Sequence, residues 1–435
     1  MNVSGKNVQI SIESITNFIL EQWSIKVHTG KPMSNIRIVA STKDDHNKIF
    51  HSTATFSSDK NGVVDLAVQS PIEGDYESVD AMGLIWSMKC KGKKEGMYVK
   101  HKSEPITFEI DVYDSNNKLI AHTSFTKTFE SDEVIREELI DDMVGTVYYP
   151  NDAVCLPAIV IVGGSDASVH EAAASILASQ GFVVLALAYF GKEGLPKGID
   201  NIPLEYVDKA FRYLESKSFV DQTKLGIIGH SRGSELALLY ARHFSKVKSV
   251  IVTAPSSVIF SGLLNYQPIA KPAWTFQGKP FNYFEAVRTM GDLFSFFYHW
   301  IFRKPYSGLI PINRNLQDEQ KVDAHSIPVQ DIQAPMMFFA GTDDHVQPAV
   351  FFTKRMEGAL AEHAFSKQNR FIYHKGAGHF SAFPCSLPNL PQTVGDTNFK
   401  MTMIFGGTRK INAKTAQQTW EDTLEFLEAT LTKLK

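Results

Sequence analysis

The feature that most constrains the fold of this chain is the pentapeptide Gly229–Gly233, which has the pattern G-x-S-x-G. The apolar segment Lys224–Ile228 before it is typical of a buried strand, and Ser234–Ala241 after it is typical of a helix. A sharp strand-to-helix turn needs glycine where a Cβ atom would collide, and it sets the Ser231 hydroxyl at a positive helix end. The pattern predicts a nucleophilic Ser231. The alternative is a tight turn in which Ser231 caps the helix.

Length and composition limit the class of protein. A chain of 435 residues exceeds one typical core and predicts two domains. The net charge of −3 and the pI near 6.5 give no electrostatic reason to expect nucleic acid or an anionic membrane as a partner. No apolar run approaches the roughly 20 residues of a membrane span, so no membrane span is predicted. The oligomeric state stays open between a monomer and a small homo-oligomer.

Cysteine usage indicates the compartment. The cysteines are too few and too scattered for a disulfide framework or a C-x-x-C metal site: Cys90, Cys155 and Cys385. We therefore predict no bound metal and a reducing compartment. The N-terminal residues do not have the pattern of a signal peptide. The expected location is the cytoplasm.

The chain changes character near residue 133. Residues 1–132 show strand periods separated by turn residues, and one of the predicted strands is Leu84–Met88. Seven or eight short strands at this spacing predict an all-β, immunoglobulin-like sandwich domain. Residues 133–435 alternate apolar strands with amphipathic helical segments and close with a helix over Thr415–Leu434. This alternation predicts a mostly parallel sheet flanked by helices, the α/β-hydrolase fold class.

Two later loops carry the side chains that a serine nucleophile requires. Asp343 and Asp344 follow the predicted strand Met336–Ala340, and His379 follows the predicted strand Phe371–His374. An α/β hydrolase carries its serine, acid and histidine in this chain order, after the carboxyl ends of strands. We therefore predict His379 as the base, although a hydrogen-bonded loop histidine is the alternative. The residues alone do not separate the two aspartates, since either could brace the loop.

Two backbone N–H groups are expected to bind an oxyanion in such a site. One belongs to Arg232, the residue after the predicted nucleophile. The other is expected from Gly164 or Ser165, in the glycine-rich loop after an early apolar strand. A plain β-turn is the alternative for this loop. The loop does not have the G-x-G-x-x-G spacing, so no nucleotide cofactor is predicted.

The strand–helix alternation lapses between residues 255 and 330. Within this stretch, Gly291–Phe302 is dense in aromatic residues at helical spacing. We predict a cap-like insertion over the mouth of the sheet, where aromatic side chains would offer apolar walls to an acyl chain. The alternative is that these aromatic residues pack in the core or between domains.

Several further blocks make the sequence similar to one enzyme family: Gly74–Tyr76, Met82–Met88, Ala186–Phe190, Leu204–Tyr206, Gly341–His345, Gly376–His379, Phe405–Gly407 and Ala416–Trp420. Together with the pentapeptide they resemble the type I acyl-CoA thioesterases and bile acid-CoA:amino acid N-acyltransferases over nearly the whole chain. The resemblance implies a β domain followed by an α/β-hydrolase domain. It also implies Ser231 as nucleophile, His379 as base and Asp344 as the acid.

The resemblance implies an acyl-CoA substrate and an acyl-CoA thioesterase that releases free fatty acid. Conjugating members usually carry cysteine at the nucleophile and thioesterases usually carry serine, so Ser231 favours hydrolysis. Amino acid N-acyl transfer, a general carboxylesterase or dienelactone-type hydrolase and a catalytically silent binding protein are the alternatives. Arg232, Lys192 and Lys197 are candidates for contacts with the CoA phosphates, and a surface role is the alternative for both lysines.

Overall fold

The computed structural model describes residues 8–21, 23–92, 95–131, 133–139, 142–363, 368–379, 387–388, 390–395 and 401–432. Cys385 and the N-terminal Met1–Asn7, which entered the expectations above, lie outside these ranges. The predicted terminal helix is observed as a helix that begins at Arg409, and its expected end at Leu434 also lies outside the described residues.

Short strands that pair antiparallel build the first part of the chain: β1 (Gln9–Glu13), β2 (Ser24–His28), β3 (Asn35–Lys43), β4 (Ile49–Ser57), β5 (Val63–Asp65), β6 (Glu73–Gly74), β7 (Lys89–Cys90), β8 (Ile106–Asp114) and β9 (Leu119–Lys127). One sheet has the order β1-β2-β5 and the other has the order β6-β4-β3-β8-β9, with β7 beside β4. Alternate residues along β3 and β8 are buried, as in a sheet with one face on a core. The predicted all-β region is confirmed.

The predicted strand Leu84–Met88 is wrong. The chain forms a short helix there, α1 (Gly83–Trp86). The Asp80 carboxylate accepts hydrogen bonds from the Met82 backbone N–H and, at 2.9 Å, from the Trp86 indole N–H, and so closes the turn locally. A short run in which every residue is buried has no periodicity to separate a helix from a strand.

The second part of the chain carries the remaining strands: β10 (Val134–Leu139), β11 (Val144–Pro150), β12 (Leu156–Val162), β13 (Val183–Ala188), β14 (Ile202–Pro203), β15 (Val220–His230), β16 (Val247–Thr253), β17 (Ser261–Leu264), β18 (Gln267–Pro272), β19 (Trp274–Phe276), β20 (Lys279–Pro280), β21 (Met336–Gly341), β22 (Arg370–His374), β23 (Thr393–Val394) and β24 (Met403–Ile404). Eight of them form one sheet in the order β10-β11-β13-β12-β15-β16-β21-β22. Strand β11 is antiparallel to both neighbours, and the pairs from β13 to β22 are parallel.

Helices cover both faces of this sheet: α2 (Glu171–Ala178), α3 (Leu204–Glu215), α4 (Arg232–His243), α8 (Ala349–Glu362) and α9 (Arg409–Leu427). Along β12, Ile159 and Ile161 face the side of α2 and α9, while Val160 and Val162 face the side of α3, α4 and α8. Both faces are buried, which explains why the strand is apolar at every position. The α/β-hydrolase fold class predicted from the sequence is confirmed.

The sheets of the first part end at Lys127, and the eight-stranded sheet begins at Val134. The domain boundary between residues 132 and 133 and the cap role of residues 255–330 stay predictions. Inside 255–330 lie the hairpin β17–β18, strands β19 and β20, and three helices: α5 (Met290–Ile301), α6 (Leu309–Asn315) and α7 (Glu319–Ala324). Two short helical turns, Val329–Asp331 and Glu428–Thr432, complete the elements. Among the described residues, no helix is long and apolar enough to cross a membrane.

Candidate active site

The predicted strand–turn–helix around Ser231 is observed. Strand β15 ends at His230 and α4 begins at Arg232, so Ser231 alone makes the turn. Its φ of 52° and ψ of −116° lie where L residues are strained. The Ser231 N–H donates to the Thr253 carbonyl at 2.9 Å, and its carbonyl accepts from the Ser234 N–H at 2.9 Å. These bonds hold the strained turn and fix the direction of the side chain.

The structure brings Ser231, His379 and Asp344 together in one hydrogen-bonded chain. The Asp344 Oδ2 atom lies 2.8 Å from His379 Nδ1, and His379 Nε2 lies 3.1 Å from Ser231 Oγ. A carboxylate can only accept, so Nδ1 carries the proton, and Nε2 is left to accept from the Ser231 hydroxyl. All three residues are buried. This is the geometry in which an imidazole can take a proton from a serine.

The two neighbouring aspartates have different partners. Besides His379, Asp344 accepts hydrogen bonds from the backbone N–H groups of Val346 and Gln347, which fix its carboxylate. Asp343 points elsewhere: its Oδ2 accepts from the Gly407 N–H at 2.8 Å. The two aspartates therefore differ in their contacts. Asp344 binds the His379 imidazole, and Asp343 holds its loop to Gly407.

The loop after β12 lies against the turn at Ser231, as the oxyanion-site prediction requires. A Cβ atom on Gly164 would stand 3.4 Å from Ser231 Cβ, and one on Gly233 would stand 2.3 Å from the Gly163 carbonyl oxygen. Only glycine at position 233 allows this approach. Gly164 is buried and Ser165 is half-buried. The Arg232 N–H lies in the first turn of α4, where backbone donors have no partner within the helix.

A tyrosine hydroxyl fixes the orientation of this loop. Tyr189, directly after β13, donates to the Gly163 carbonyl at 2.9 Å and approaches the Gly164 carbonyl at 3.3 Å. The N–H and C=O of a trans peptide point in opposite directions. The N–H groups of Gly164 and Ser165 therefore point away from Tyr189. Tyr189 is buried, and burial raises the pKa of its hydroxyl well above the usual range, so it remains a proton donor.

The Arg232 side chain has a different role from the predicted phosphate contact. It is buried, and its Nη1 donates to Glu235 Oε1 at 2.8 Å while its Nη2 donates to the Ser261 carbonyl at 2.8 Å. The second Glu235 oxygen accepts from the Trp274 indole N–H at 3.1 Å. Burial raises the pKa of Glu235 to about 7, and Arg232 opposes that shift. Arg232 therefore ties the turn at Ser231 to Ser261 and, through Glu235, to Trp274, and it is not exposed to a phosphate. Lys192 and Lys197 are exposed.

A second histidine lies beside the site and stays neutral. His230 Nδ1 is 2.7 Å from Thr253 Oγ1, and the rings of His230 and His379 are 5.3 Å apart. Burial, together with the nearby His379, lowers the pKa of His230 to about 3. His230 therefore adds no positive charge beside His379 at neutral pH. No group of His, Cys, Asp or Glu suited to a metal ion is found in the described part of the chain.

Sequence reasoning missed the positioning groups. Tyr189, Glu235, Thr253 and Gln347 all contact the predicted residues or their loops, yet none was singled out for a role. A usable signal existed for Tyr189 and Thr253, because both stand at the carboxyl ends of buried strands, where α/β sheets place functional groups. Glu235 stands in a helix turn and carries no such signal.

The sheet order and the Ser–His–Asp geometry at its carboxyl edge define the class of protein as an α/β hydrolase. Residues 202–433 match the family described as BAAT / acyl-CoA thioester hydrolase C terminal, and residues 20–141 match its acyl-CoA thioester hydrolase/BAAT N-terminal region. Residues 124–279 also match a PET hydrolase-like family. The chain belongs to the BAAT/acyl-CoA thioester hydrolase family.

Relatives of both activities are similar over most of their length. Acyl-coenzyme A amino acid N-acyltransferase 1 of Mus musculus is 29% identical over 411 residues, which cover 92% of each chain. Acyl-coenzyme A thioesterase 1 of Mus musculus is 25% identical over 419 residues, which cover 94% of each chain. Acyl-coenzyme A thioesterase 2, mitochondrial, of Homo sapiens is 26% identical and covers 92% of this chain and 80% of its own. The family resemblance seen in the sequence is confirmed.

Proposed function

We propose that this protein hydrolyses acyl-CoA thioesters to free fatty acid and CoA through an acyl-enzyme on Ser231. One observation carries the proposal: the buried hydrogen-bonded chain from Ser231 Oγ through His379 to Asp344, set on a strained turn. A catalytically silent binding protein has no use for such strain, which costs on the order of 1–3 kcal/mol. The names of the relatives supply the substrate class.

In the proposed first half-reaction, Ser231 Oγ attacks the thioester carbonyl carbon and its proton passes to His379 Nε2. Asp344 stabilises the imidazolium that forms. The oxyanion is bound by the N–H groups of Arg232 and of Gly164 or Ser165. The C–S bond then breaks and CoA leaves as a thiolate, which takes up the imidazolium proton. Thiolates leave more readily than alkoxides, so this step makes little demand on the acid.

In the proposed second half-reaction, His379 accepts a proton from water, and the hydroxide attacks the ester carbonyl of the acyl-enzyme. Collapse of this second tetrahedral species breaks the bond to Ser231 Oγ, which recovers a proton from His379. The products are a free acid and the original enzyme. Each residue thus returns to its starting protonation state.

Transfer of the acyl group to an amino acid is the second candidate, because relatives named N-acyltransferases are 27–29% identical to this chain. We favour hydrolysis because the nucleophile is serine. An oxyester acyl-enzyme is less reactive toward amines than a thioester on cysteine, while water is always at hand. Cysteine usage leads us to propose a cytoplasmic site of action. Two relatives are named mitochondrial, so imaging of the tagged full chain is the test of this proposal.

The test follows the products of acyl-CoA turnover. The full chain is incubated with a long-chain acyl-CoA, with and without glycine or taurine, and chromatography separates free acid from amide. We expect free acid as the main product in every case, and its loss in Ser231→Ala. Ser245→Ala, at an exposed serine after α4, is the matched control and should keep full activity.

Three outcomes contradict the proposal. Amide as the main product indicates transfer, and faster turnover of p-nitrophenyl esters than of acyl-CoA indicates a general carboxylesterase. No turnover by a folded protein indicates a binding protein.

A further inference from the structure

Helix α5 turns its apolar face toward solvent. Positions 290, 294, 297 and 301 lie on one side of the helix, since they are spaced by three or four residues. Met290 is 67% exposed, Phe294 69% and Ile301 62%. The side facing the protein holds the buried Asp292 and the half-buried Ser295 and His299. The alternative interpretation, that these aromatic residues pack in the core, is therefore wrong for this face.

Specific contacts hold the helix in this orientation. Thr289 and Asp292 form a capping box at its N-terminus, and the Asp292 carboxylate also pairs with the Arg314 guanidinium. Both bonds lower the pKa of Asp292 to about 2, so it stays charged and paired. On the same inward side, the Phe296 and Tyr306 rings pack edge to face with centroids 5.5 Å apart. The polar inward side is anchored, and the apolar side is left outward.

Cations stand at both ends of this apolar face. Arg288 precedes the helix, Arg303 and Lys304 follow it, and all three are exposed. Asp292 is the only carboxylate between residues 286 and 305, and it points inward to Arg314. The whole chain has a net charge of −3, so the local charge at the ends of α5 is opposite in sign to the net charge. A second copy packed antiparallel on α5 would set these cations against each other, which disfavours self-association.

The side chains on this face are those that favour a lipid–water interface. Trp300 and Tyr298 are 48% and 44% exposed, and the Lys304 ammonium lies 4.8 Å from the centre of the Tyr298 ring. Aromatic rings with a polar edge and long basic side chains concentrate at the level of lipid headgroups. Twelve residues of helix measure about 18 Å, short of the ~30 Å hydrocarbon core. Such a helix would lie in the interface and not span it.

We propose that α5 docks this protein onto an anionic phospholipid surface. The outward Met290, Phe294, Phe297 and Ile301 enter the acyl boundary, and the flanking cations contact the headgroup phosphates. The interaction depends on α5 and not on the chemistry at Ser231. It reverses, for this one face, the expectation drawn from the net charge that an anionic membrane is not a partner.

Co-sedimentation of the full chain with vesicles tests the apolar contact. The probes are vesicles of phosphatidylcholine and vesicles of phosphatidylcholine mixed with phosphatidylserine. The double variant Phe294→Ser/Phe297→Ser should bind mixed vesicles at least tenfold more weakly, because it lacks the two phenyl groups that would be buried in the bilayer. The matched control Val68→Ser/Ile72→Ser changes two side chains that are 69% and 60% exposed in the β region, and it should bind like the parent.

A second pair of variants tests the charge. Arg303→Glu/Lys304→Glu should lose the preference for mixed vesicles, and added salt should weaken parent binding to them. Lys60→Glu/Lys118→Glu makes the same change in net charge at exposed sites of the β region and should leave the preference intact. Ser231→Ala should bind vesicles like the parent, which keeps this test independent of the proposed catalysis.

Two sedimentation outcomes overturn the proposal. One is equal binding by the Phe294→Ser/Phe297→Ser variant and its control. The other is a parent that sediments as a dimer without vesicles and becomes monomeric in that variant, which would place a second copy on α5. A fluorescence readout stands apart from sedimentation: mixed vesicles should shift the emission of the parent to the blue, and Trp300→Phe should reduce that shift. No shift in the parent also contradicts docking.

Discussion

Ser231 shows how far a single residue can be predicted from sequence. The G-x-S-x-G pattern predicted its turn and its access to a base, and the structure places it 3.1 Å from His379. Its φ of 52° is a consequence of the same pattern, because glycine on both sides allows the sharp turn. The choice of Asp344 over Asp343 came only from family resemblance. Spacing along one loop cannot decide which of two adjacent carboxylates points at an imidazole 35 residues away.

The aspartate pair yields a prediction at this scale. Asp344→Asn should lower kcat by about three to four orders of magnitude, since an amide cannot hold the imidazole in the productive tautomer or stabilise its charge. Asp343→Asn should cost far less, because its carboxylate braces the Gly407 N–H and does not face His379. Steady-state kinetics on acyl-CoA measure both. A larger loss of kcat in Asp343→Asn than in Asp344→Asn would show that the assignment of the acid to Asp344 is wrong.

Tyr189 yields a second prediction. Tyr189→Phe removes the hydroxyl that orients the Gly163 and Gly164 peptides, and we expect a roughly tenfold fall in kcat with little change in KM. This loss is smaller than the ~100-fold or more for removal of an oxyanion donor itself. Tyr206→Phe is the matched control, because its hydroxyl also donates to a backbone carbonyl, that of Ala188, but on β13 and not on the loop.

Separate measurement of kcat and KM tests the positioning role of Tyr189. Equal losses in Tyr189→Phe and Tyr206→Phe, or a loss confined to KM, would contradict it.

At the scale of elements, periodicity predicted what is long and failed on what is short. The amphipathic pattern over Leu204–Ser216 repeats several times and predicts a helix there, and α3 is observed at Leu204–Glu215. The run Leu84–Met88 has no repeating pattern, and local hydrogen bonds to the Asp80 carboxylate decide its shape. The helical spacing of α5 was visible, but which of its faces meets solvent depends on Asp292 and Arg314, and that pairing is tertiary.

Contact between the turn at Ser231 and the loop after β12 yields a prediction about glycine. Gly233→Ala would place Cβ 2.3 Å from the Gly163 carbonyl oxygen, so the loop must move. We expect loss of most activity and a lower midpoint of thermal unfolding. Gly358→Ala, in the interior of α8 with open space around the new Cβ, should instead stabilise the protein by about 0.5–1 kcal/mol. A fully active Gly233→Ala would show that the loop does not depend on this contact.

At the scale of the whole molecule, the two parts share a core. Side chains of the antiparallel sheets, of α2 and α9, and of one face of the eight-stranded sheet pack in a single cluster. The backbone carbonyl of His101, in the β region, accepts a hydrogen bond from the Ala172 backbone N–H at 2.8 Å. This bond joins the N-terminus of α2 to that region. The change in pattern near residue 133 predicted two kinds of architecture. It could not predict this shared core, since single-chain periodicity carries no information about which faces meet.

Buried histidines make the stability of the molecule dependent on pH. Burial lowers the pKa of His374 to about 4, against about 6.5 in the unfolded chain. Between these values the unfolded chain binds more protons, so stability falls as pH is lowered from 6.5 toward 4, by up to about 1.4 kcal/mol per pH unit. His374→Gln, which lies outside the Ser231 hydrogen-bonded chain, should flatten this dependence. Urea unfolding between pH 7 and 4 measures it, and an unchanged slope would contradict burial as the cause.

The central claim is that Ser231 carries the acyl group. Intact-mass spectrometry of the protein quenched after mixing with acyl-CoA tests it most directly. We predict an adduct of one acyl group on the parent, mapped to the peptide with Ser231, a larger steady-state adduct in Ser231→Cys, and none in Ser231→Ala. An acyl adduct that persists in Ser231→Ala, or undiminished acyl-CoA turnover by that variant, would contradict the claim.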